Sequence, residues 1–407
     1  TATPEPTAVP PVEEPAATEA PPTEAPKPPA PEYIDLGSSI SLTGPFGSLG
    51  NMILPGYEYA VDDINAAGGV YVEEYGVKIP LRLTSYDDES DPTKAVSKME
   101  TLFSDLDLTA YLGGGGSSMH AASAAIAEKN QVPYCGIAFA LYQIHQQGYK
   151  YLFSPFPKSP QQATDVFEIL NGAVGDGEKP KIAIFTYSDD WGKEMGALWQ
   201  ENAKANGYEV VVYAENPPGP NNDWSDSILK AKAAGAEVLL TLPIFPDGSN
   251  MFKTMAELDW APKFSLVIRA PEGLNWGESM GTIGDYVTIF PGWHHDAKFP
   301  GDAELNAKSE AAVQRPADIL TGPAYACVQI VAAAIEQAGT LDRAAVRDAM
   351  AAIDMETVIG PVTFNEDGTG NVINPMVQWQ NGVTHIVWPP EQASAELLYP
   401  ALPFNER

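Results

Sequence analysis

The chain has 407 residues, 44% of them hydrophobic, and a formal net charge of −31 at pH 7. Its length and apolar content suffice for two or three domains with sizeable cores. So large an acid excess makes nucleic acid and anionic lipid poor partners for the body of the protein, and no apolar run is long enough to span a bilayer.

Residues 1–31 are dominated by Pro, Ala, Glu and Thr, as in Pro10-Pro11-Val12-Glu13-Glu14-Pro15. They have little to bury and are expected to form a disordered, extended spacer. A first residue other than Met fits a processed chain. From Tyr33 strands and helices alternate. Ile34–Leu42 reads as a strand ending at Thr43-Gly44-Pro45. Gly56–Ala67 reads as an amphipathic helix with Tyr57, Ala60, Val61 and Ile64 on one face, stopped by Gly68-Gly69. Val77–Ser85 alternates as a strand. Asp91-Pro92 then makes an N-cap with proline at the first helical position, before a helix over Thr93–Phe103. A short strand, Leu108–Leu112, runs into Gly113-Gly114-Gly115-Gly116-Ser117-Ser118, followed by a helix over Met119–Asn130 and a strand over Val132–Ile137.

That glycine loop is the most informative stretch. Glycines let a ligand approach the backbone. Free N–H groups at a helix start attract an anion, and Ser117 and Ser118 add hydroxyl donors, so the loop reads as a seat for a carboxylate. The alternative is a capped turn with no ligand.

The alternation then restarts: strands at Lys181–Thr186, Glu209–Ala214, Val238–Leu242 and Phe264–Arg269, with helices at Gly192–Asn206, Ser225–Ala234 and Asn250–Leu258 between them. Two successive sets imply an α/β protein of two similar lobes, each a parallel sheet flanked by helices. Ligands of such sheets bind at the carboxyl ends of the strands, so a cleft between the lobes is the expected site. Cys135 and Cys327 lie far apart in apolar contexts and are expected to be two buried free thiols.

Three other signals are set aside. Gly277-Glu278-Ser279-Met280-Gly281 has the Gly-x-Ser-x-Gly form of a hydrolase elbow but follows a segment read as a loop rather than a strand. Asp87, Asp88, Glu89 and Asp91 lack the spacing of a calcium loop and suit turns and caps. His294-His295-Asp296 is read as a surface loop, because neighbours on an extended segment face opposite ways. No cofactor or metal is expected.

Several segments, in order, resemble extracytoplasmic substrate-binding proteins of the leucine/isoleucine/valine-binding type. They are Ser41-Leu42-Thr43-Gly44-Pro45, Gly56–Gly69, Tyr86–Val96, the Gly113–Ser118 loop, Asp189-Asp190-Trp191-Gly192, Pro271-Glu272-Gly273 and Ile359–Phe364. The resemblance spans roughly residues 33–385. It implies a type I periplasmic binding fold with three chain crossings near residues 155–159, 290–293 and 372–376. The implied lobes are 32–155 with 292–373, and 156–291 with 374–407. It implies a monomer that closes over a small solute and delivers it to the membrane permease of an ABC transporter, outside the cytoplasm and lipid-anchored before residue 1. The implied ligand-binding residues are Ser117 and Ser118, the backbone near Ala138 and Ala140, Phe46 and Phe139 on the apolar side, Trp191 as an aromatic wall, and Glu272 facing a ligand ammonium. The family's side-chain hydroxyl is missing at Ala140, and its first-lobe aromatic is missing near Leu49. A branched-chain amino acid, the leading candidate, is therefore only one of several that include aromatic acids, amides, urea and polyamines, and Glu272 leans toward a ligand with a cationic or amide nitrogen. A sensor on the same fold and a Ser279 hydrolase are the competing readings.

Overall fold

The computed structural model describes residues 1–5, 27–220 and 222–407. Most of the expected N-terminal spacer, residues 6–26, lies outside them. The chain builds β1 (Ile34–Ile40), α1 (Gly47–Ala66), β2 (Val70–Val72), β3 (Val77–Ile79), β4 (Leu81–Asp87), α2 (Pro92–Asp105), β5 (Leu108–Leu112), α3 (Ser117–Asn130), β6 (Tyr134–Cys135) and β7 (Leu152–Phe153). It continues with α4 (Ser159–Val174), β8 (Lys181–Tyr187), α5 (Asp190–Ala205), β9 (Val210–Asn216), α6 (Ser225–Ala233), β10 (Ala236–Thr241), α7 (Phe245–Glu257), β11 (Phe264–Val267), α8 (Asn275–Met280) and β12 (Val287–Ile289). Last come α9 (Asp302–Val313), α10 (Thr321–Ala338), α11 (Arg343–Ala351), β13 (Asp354–Thr357), β14 (Gly360–Phe364), β15 (Gly370–Asn371), β16 (Met376–Gln380) and β17 (Val383–Trp388).

The main sheets are two. One has the order β4-β1-β5-β6-β7, all parallel. The other has the order β17-β16-β12-β11-β10-β8-β9, in which β16 runs antiparallel to both its neighbours, β12 and β17, and the other pairings are parallel. β1, β5 and the strands β8 and β10 are buried along nearly their whole length, as strands covered by helices on both faces must be. In each sheet the strand order reverses, between β1 and β5 and again between β8 and β10. Loops leaving the carboxyl ends of these strands open a crevice where ligands of doubly wound sheets sit. The chain passes between the sheets after β7 (residues 154–158), after β12, and between β15 and β16 (residues 372–375).

Three local expectations change. Helix α1 starts at Gly47 rather than Gly56 and runs through Pro55. Proline removes one ladder donor, and the Asn51 side-chain amide donates to the Gly47 carbonyl at 2.7 Å one turn earlier. The strand expected over Val77–Ser85 is cut at Pro80: β3 folds back antiparallel on β2, while β4 joins β1. α7 begins at Phe245 instead of Asn250, with Pro246 in its first turn, where a missing N–H costs nothing.

The expectation of two free thiols is overturned. Cys135, ending β6, and Cys327, inside α10, form a disulfide with a Cα–Cα distance of 5.8 Å across a sequence separation of 192 residues. Distance along the chain said nothing about distance in space: α10 packs along α1 in the same core that holds Cys135. Persistent disulfides belong to oxidising compartments.

Candidate functional site

The loops after β5, β6, β8 and β11 meet around a cavity of about 30 Å3. Its lining includes Leu49, Ser117, Ala138, Phe139 and Ala140 from the five-stranded side. Gln162, Trp191, Ile268, Arg269 and Glu272 come from the seven-stranded side, and Phe156 from the crossing.

The first-sheet wall is a set of donors. Gly116 at φ 90° is the hinge that turns β5 into α3, a conformation only glycine takes at little cost. Gly114 passes so close to β1 that a Cβ would lie 2.7 Å from the Ser39 carbonyl. This places Ser117 at the start of α3 with 5% of its surface exposed and its hydroxyl on the cavity. Ala138 adopts φ 58°, and its carbonyl accepts the Gly116 N–H at 3.1 Å, locking the two loops together. The Ala140 carbonyl is taken by the Ser159 N–H and Oγ, both at 2.8 Å. Lys158 Nζ, fully enclosed, donates to the Phe139 carbonyl at 2.8 Å and to Ser154 Oγ at 2.6 Å. Burial holds its pKa well below the usual lysine value. With the carbonyls held from behind, the N–H groups of Ala138 and Ala140 and the Ser117 hydroxyl meet no protein partner among the described residues.

The second-sheet wall carries the charges. Asp189 caps α5 by accepting the Gly192 N–H at 2.7 Å, which sets Trp191 into the cavity wall. The Trp191 indole donates to Ser159 Oγ at 3.1 Å, and the Arg269 guanidinium stacks over its ring at 4.2 Å. Arg269 follows β11 with φ 80° and ψ −60°, close to a strained γ-turn. Strain of this kind is a mark of functional positions. Its N–H donates to Glu272 Oε1 at 3.0 Å, and the Glu272 N–H donates back to its carbonyl at 3.1 Å. By surface area both side chains are half-open to the cleft, yet protein surrounds them closely. Burial pushes the Glu272 carboxyl up to about 7, against the pull of Arg269. Burial also lowers the Arg269 pKa, opposed by Asp189 and Glu272. Among the described residues no carboxylate pairs with the guanidinium at salt-bridge distance.

Of the eight residues expected to bind ligand, Ser117, Ala138, Phe139, Ala140, Trp191 and Glu272 line this cavity. Ser118 does not: it is exposed, because successive helical residues turn by about 100° and only one hydroxyl can face inward. Phe46 lines a second, larger chamber of about 860 Å3, which shares Leu49 and Arg269 with the first. The Phe139 ring is occupied in packing, stacked on His120 at 4.2 Å between ring centroids and covered by Lys158 Nζ at 3.7 Å. Sequence reasoning missed Arg269 and Gln162. A cation closing an apolar strand just before Pro271-Glu272-Gly273 was a usable sign for the first. Gln162, 1% exposed with Oε1 unpaired, sits on α4, where no motif marks it.

The segments set aside also find places. Asp87, Asp88 and Asp91 serve turns and a cap: Asp88 accepts Ser41 Oγ at 2.6 Å, and Asp91 accepts the Thr93 N–H at 2.8 Å. Ser279 is exposed on the short helix α8, and the segment before it, expected as a loop, is a 3-10 turn at Ala270–Glu272 leading into that helix rather than a strand. His294-His295-Asp296 is not a surface loop. His294 is fully buried, with Nε2 on Thr384 Oγ1 at 2.8 Å and Nδ1 accepting the Asp296 N–H at 3.1 Å. The two imidazoles stack at 4.1 Å, so the backbone is not extended there.

A profile of the periplasmic binding protein family matches residues 34–382. The Leu/Ile/Val-binding protein homolog 7 of Brucella abortus (strain 2308) is 25% identical over 390 residues, covering 91% of this chain and 95% of that protein. The crystal structure of a leucine-binding protein, LivK, from Thermotoga maritima MSB8 superposes with a TM-score of 0.77 at 18% identity, covering 87% of this chain and 97% of its own. A solute-binding protein of an ABC transporter from R. palustris, solved with benzoate, gives a TM-score of 0.75 at 17% identity, covering 89% and 98%. The fold is shared with those structures, and with residues 34–382, nearly the whole body, matched by the family profile, the chain belongs to the periplasmic binding protein family.

Proposed function

We propose that this protein is the solute receptor of an ABC importer, working outside the cytoplasm, and that it holds the carboxylate of a small solute between its two α/β halves. One observation carries the reading: unpaired donors from both sheets, the Ser117 hydroxyl, the Ala138 and Ala140 N–H groups and the Arg269 guanidinium, converge on one cavity. A carboxylate satisfies such a set with charge-assisted hydrogen bonds. The Brucella relatives and the ABC-transporter neighbours support the transport role, and the disulfide suits an oxidising compartment. Closing the halves over the solute is a hinge motion about the three crossings, and the closed form is what a permease would read.

A thermal-shift screen of amino acids, aromatic acids, amides and polyamines tests this, since a ligand of the folded state raises the melting temperature. Carboxylates should give the shifts. Ser117→Ala should weaken the best of them by roughly 1.5–3 kcal/mol, the worth of a hydrogen bond to a charged group. Unchanged calorimetric affinity in that variant would refute the assignment.

A further inference from the structure

The two chambers differ in size far more than a compact amino acid requires. The inner one, about 30 Å3, has room for a headgroup and little else. The outer one, about 860 Å3, lies within the range of pockets that enclose drug-sized molecules. They adjoin at Leu49 and Arg269, which line both. Ser117, Gln162 and Glu272 line the inner chamber alone, Arg269 lines both, and Glu278, His295 and Thr384 line the outer one. The outer wall offers Phe46, Met52, Ile244, Phe245 and Leu274, from α1 on one side and from the start of α7 and the turn before α8 on the other.

The charges also bear on the ligand. An α-amino acid needs a free anion for its ammonium. Glu272 is the carboxylate lining the inner chamber, one of its oxygens is taken by the Arg269 N–H, and the Arg269 guanidinium stands beside it. Ala140 brings no side-chain hydroxyl to the chamber. A like charge brought into the same small, poorly solvated space as the guanidinium is repelled. Gln162 is amphoteric: its amide presents either a carbonyl or an NH2 to a headgroup.

We infer that the solute is an elongated monocarboxylate without an α-ammonium, an aryl-alkanoate or a branched long-chain acid, whose head sits between Ser117 and Arg269 and whose apolar body fills the outer chamber beside Phe46 and Phe245. The inference rests on the proposed carboxylate site and adds the class of molecule that occupies it. Burial of the body in the outer chamber supplies affinity in proportion to apolar area, and Phe46 and Phe245 give a ring flat or edge-on partners.

Calorimetry on the full chain with matched pairs decides the matter. 3-Phenylpropanoate is expected to bind at least tenfold more tightly than L-phenylalanine, which differs by the ammonium alone, and 4-methylpentanoate at least tenfold more tightly than L-leucine. Affinity should climb at least tenfold from acetate to 5-phenylpentanoate. Phe245→Ala, a change at a half-buried ring, should weaken 5-phenylpentanoate and leave acetate unmoved. Arg269→Gln should weaken every acid tested, with its melting curve taken alongside to verify the fold. L-leucine or L-phenylalanine binding as tightly as the des-amino twin overturns the inference and leaves the carboxylate site standing. Flat affinity along the chain-length series also overturns it. If acids of both kinds fail to bind, or bind without regard to Ser117→Ala and Arg269→Gln, the carboxylate site falls and the inference falls with it.

Discussion

At the scale of single residues, Glu272 governs how the site answers to pH. A carboxyl lifted from its usual 4.5 to about 7 means that the native state holds a proton the unfolded chain has released across that interval. Stability contributed through this group is therefore full below pH 4.5, falls as pH rises toward 7, and stays low above it. Glu272→Gln should remove that slope, so the difference in urea midpoint between native protein and variant should change across pH 4.5–7 and level off outside it. Parallel midpoint curves would show the carboxyl to be untitrated there. Ser117 was legible because a glycine loop before a helix has a mechanism of its own, and Glu272 only through the resemblance of Pro271-Glu272-Gly273 to a family turn. Arg269 was not, because its role arises from a positive φ that aims it at Trp191, and no local pattern announces that angle. The burial of His294 was likewise hidden, since Thr384, its partner, is 90 residues downstream.

At the scale of elements, α5 reaches across the cleft. The Glu194 carboxylate accepts the N–H groups of Tyr142 at 2.7 Å and Gln143 at 3.0 Å, at the start of a 3-10 turn belonging to the five-stranded side. In the hinge motion proposed above, this pair of charge-assisted bonds would be made only with the two sides close and would favour the shut arrangement. Glu194→Ala should shift that balance by about 1–3 kcal/mol and enlarge the radius of gyration measured by small-angle scattering without ligand. An unchanged scattering curve would mean that the latch carries no weight. The strand–helix alternation that defines both sheets was readable from periodicity. The ends of the elements were less so, for reasons specific to proline. Pro55 looks like a helix start and lies inside one; Pro80 looks harmless and divides a strand in two.

At the scale of the whole molecule, the Cys135–Cys327 bond belongs wholly to the half built on the five-stranded sheet. Cys327→Ala should lower unfolding stability by roughly 2–5 kcal/mol, as removal of a native disulfide does, and reductant should lower the native protein by a similar amount while sparing ligand affinity. Equal denaturation midpoints with and without reductant would contradict this. The pairing was invisible in the sequence because it depends on where α10 returns after the chain has built strands β8 to β12 of the second sheet.

That same bond has a consequence for how the molecule breaks. The covalent ring it closes encloses the segment from β7 through the start of α10, including the exposed stretch after β9. A protease that severs the chain once anywhere inside the ring leaves two fragments still fastened to each other. On a gel run without thiol such a nicked receptor should migrate as one species, and only added thiol should release the pieces.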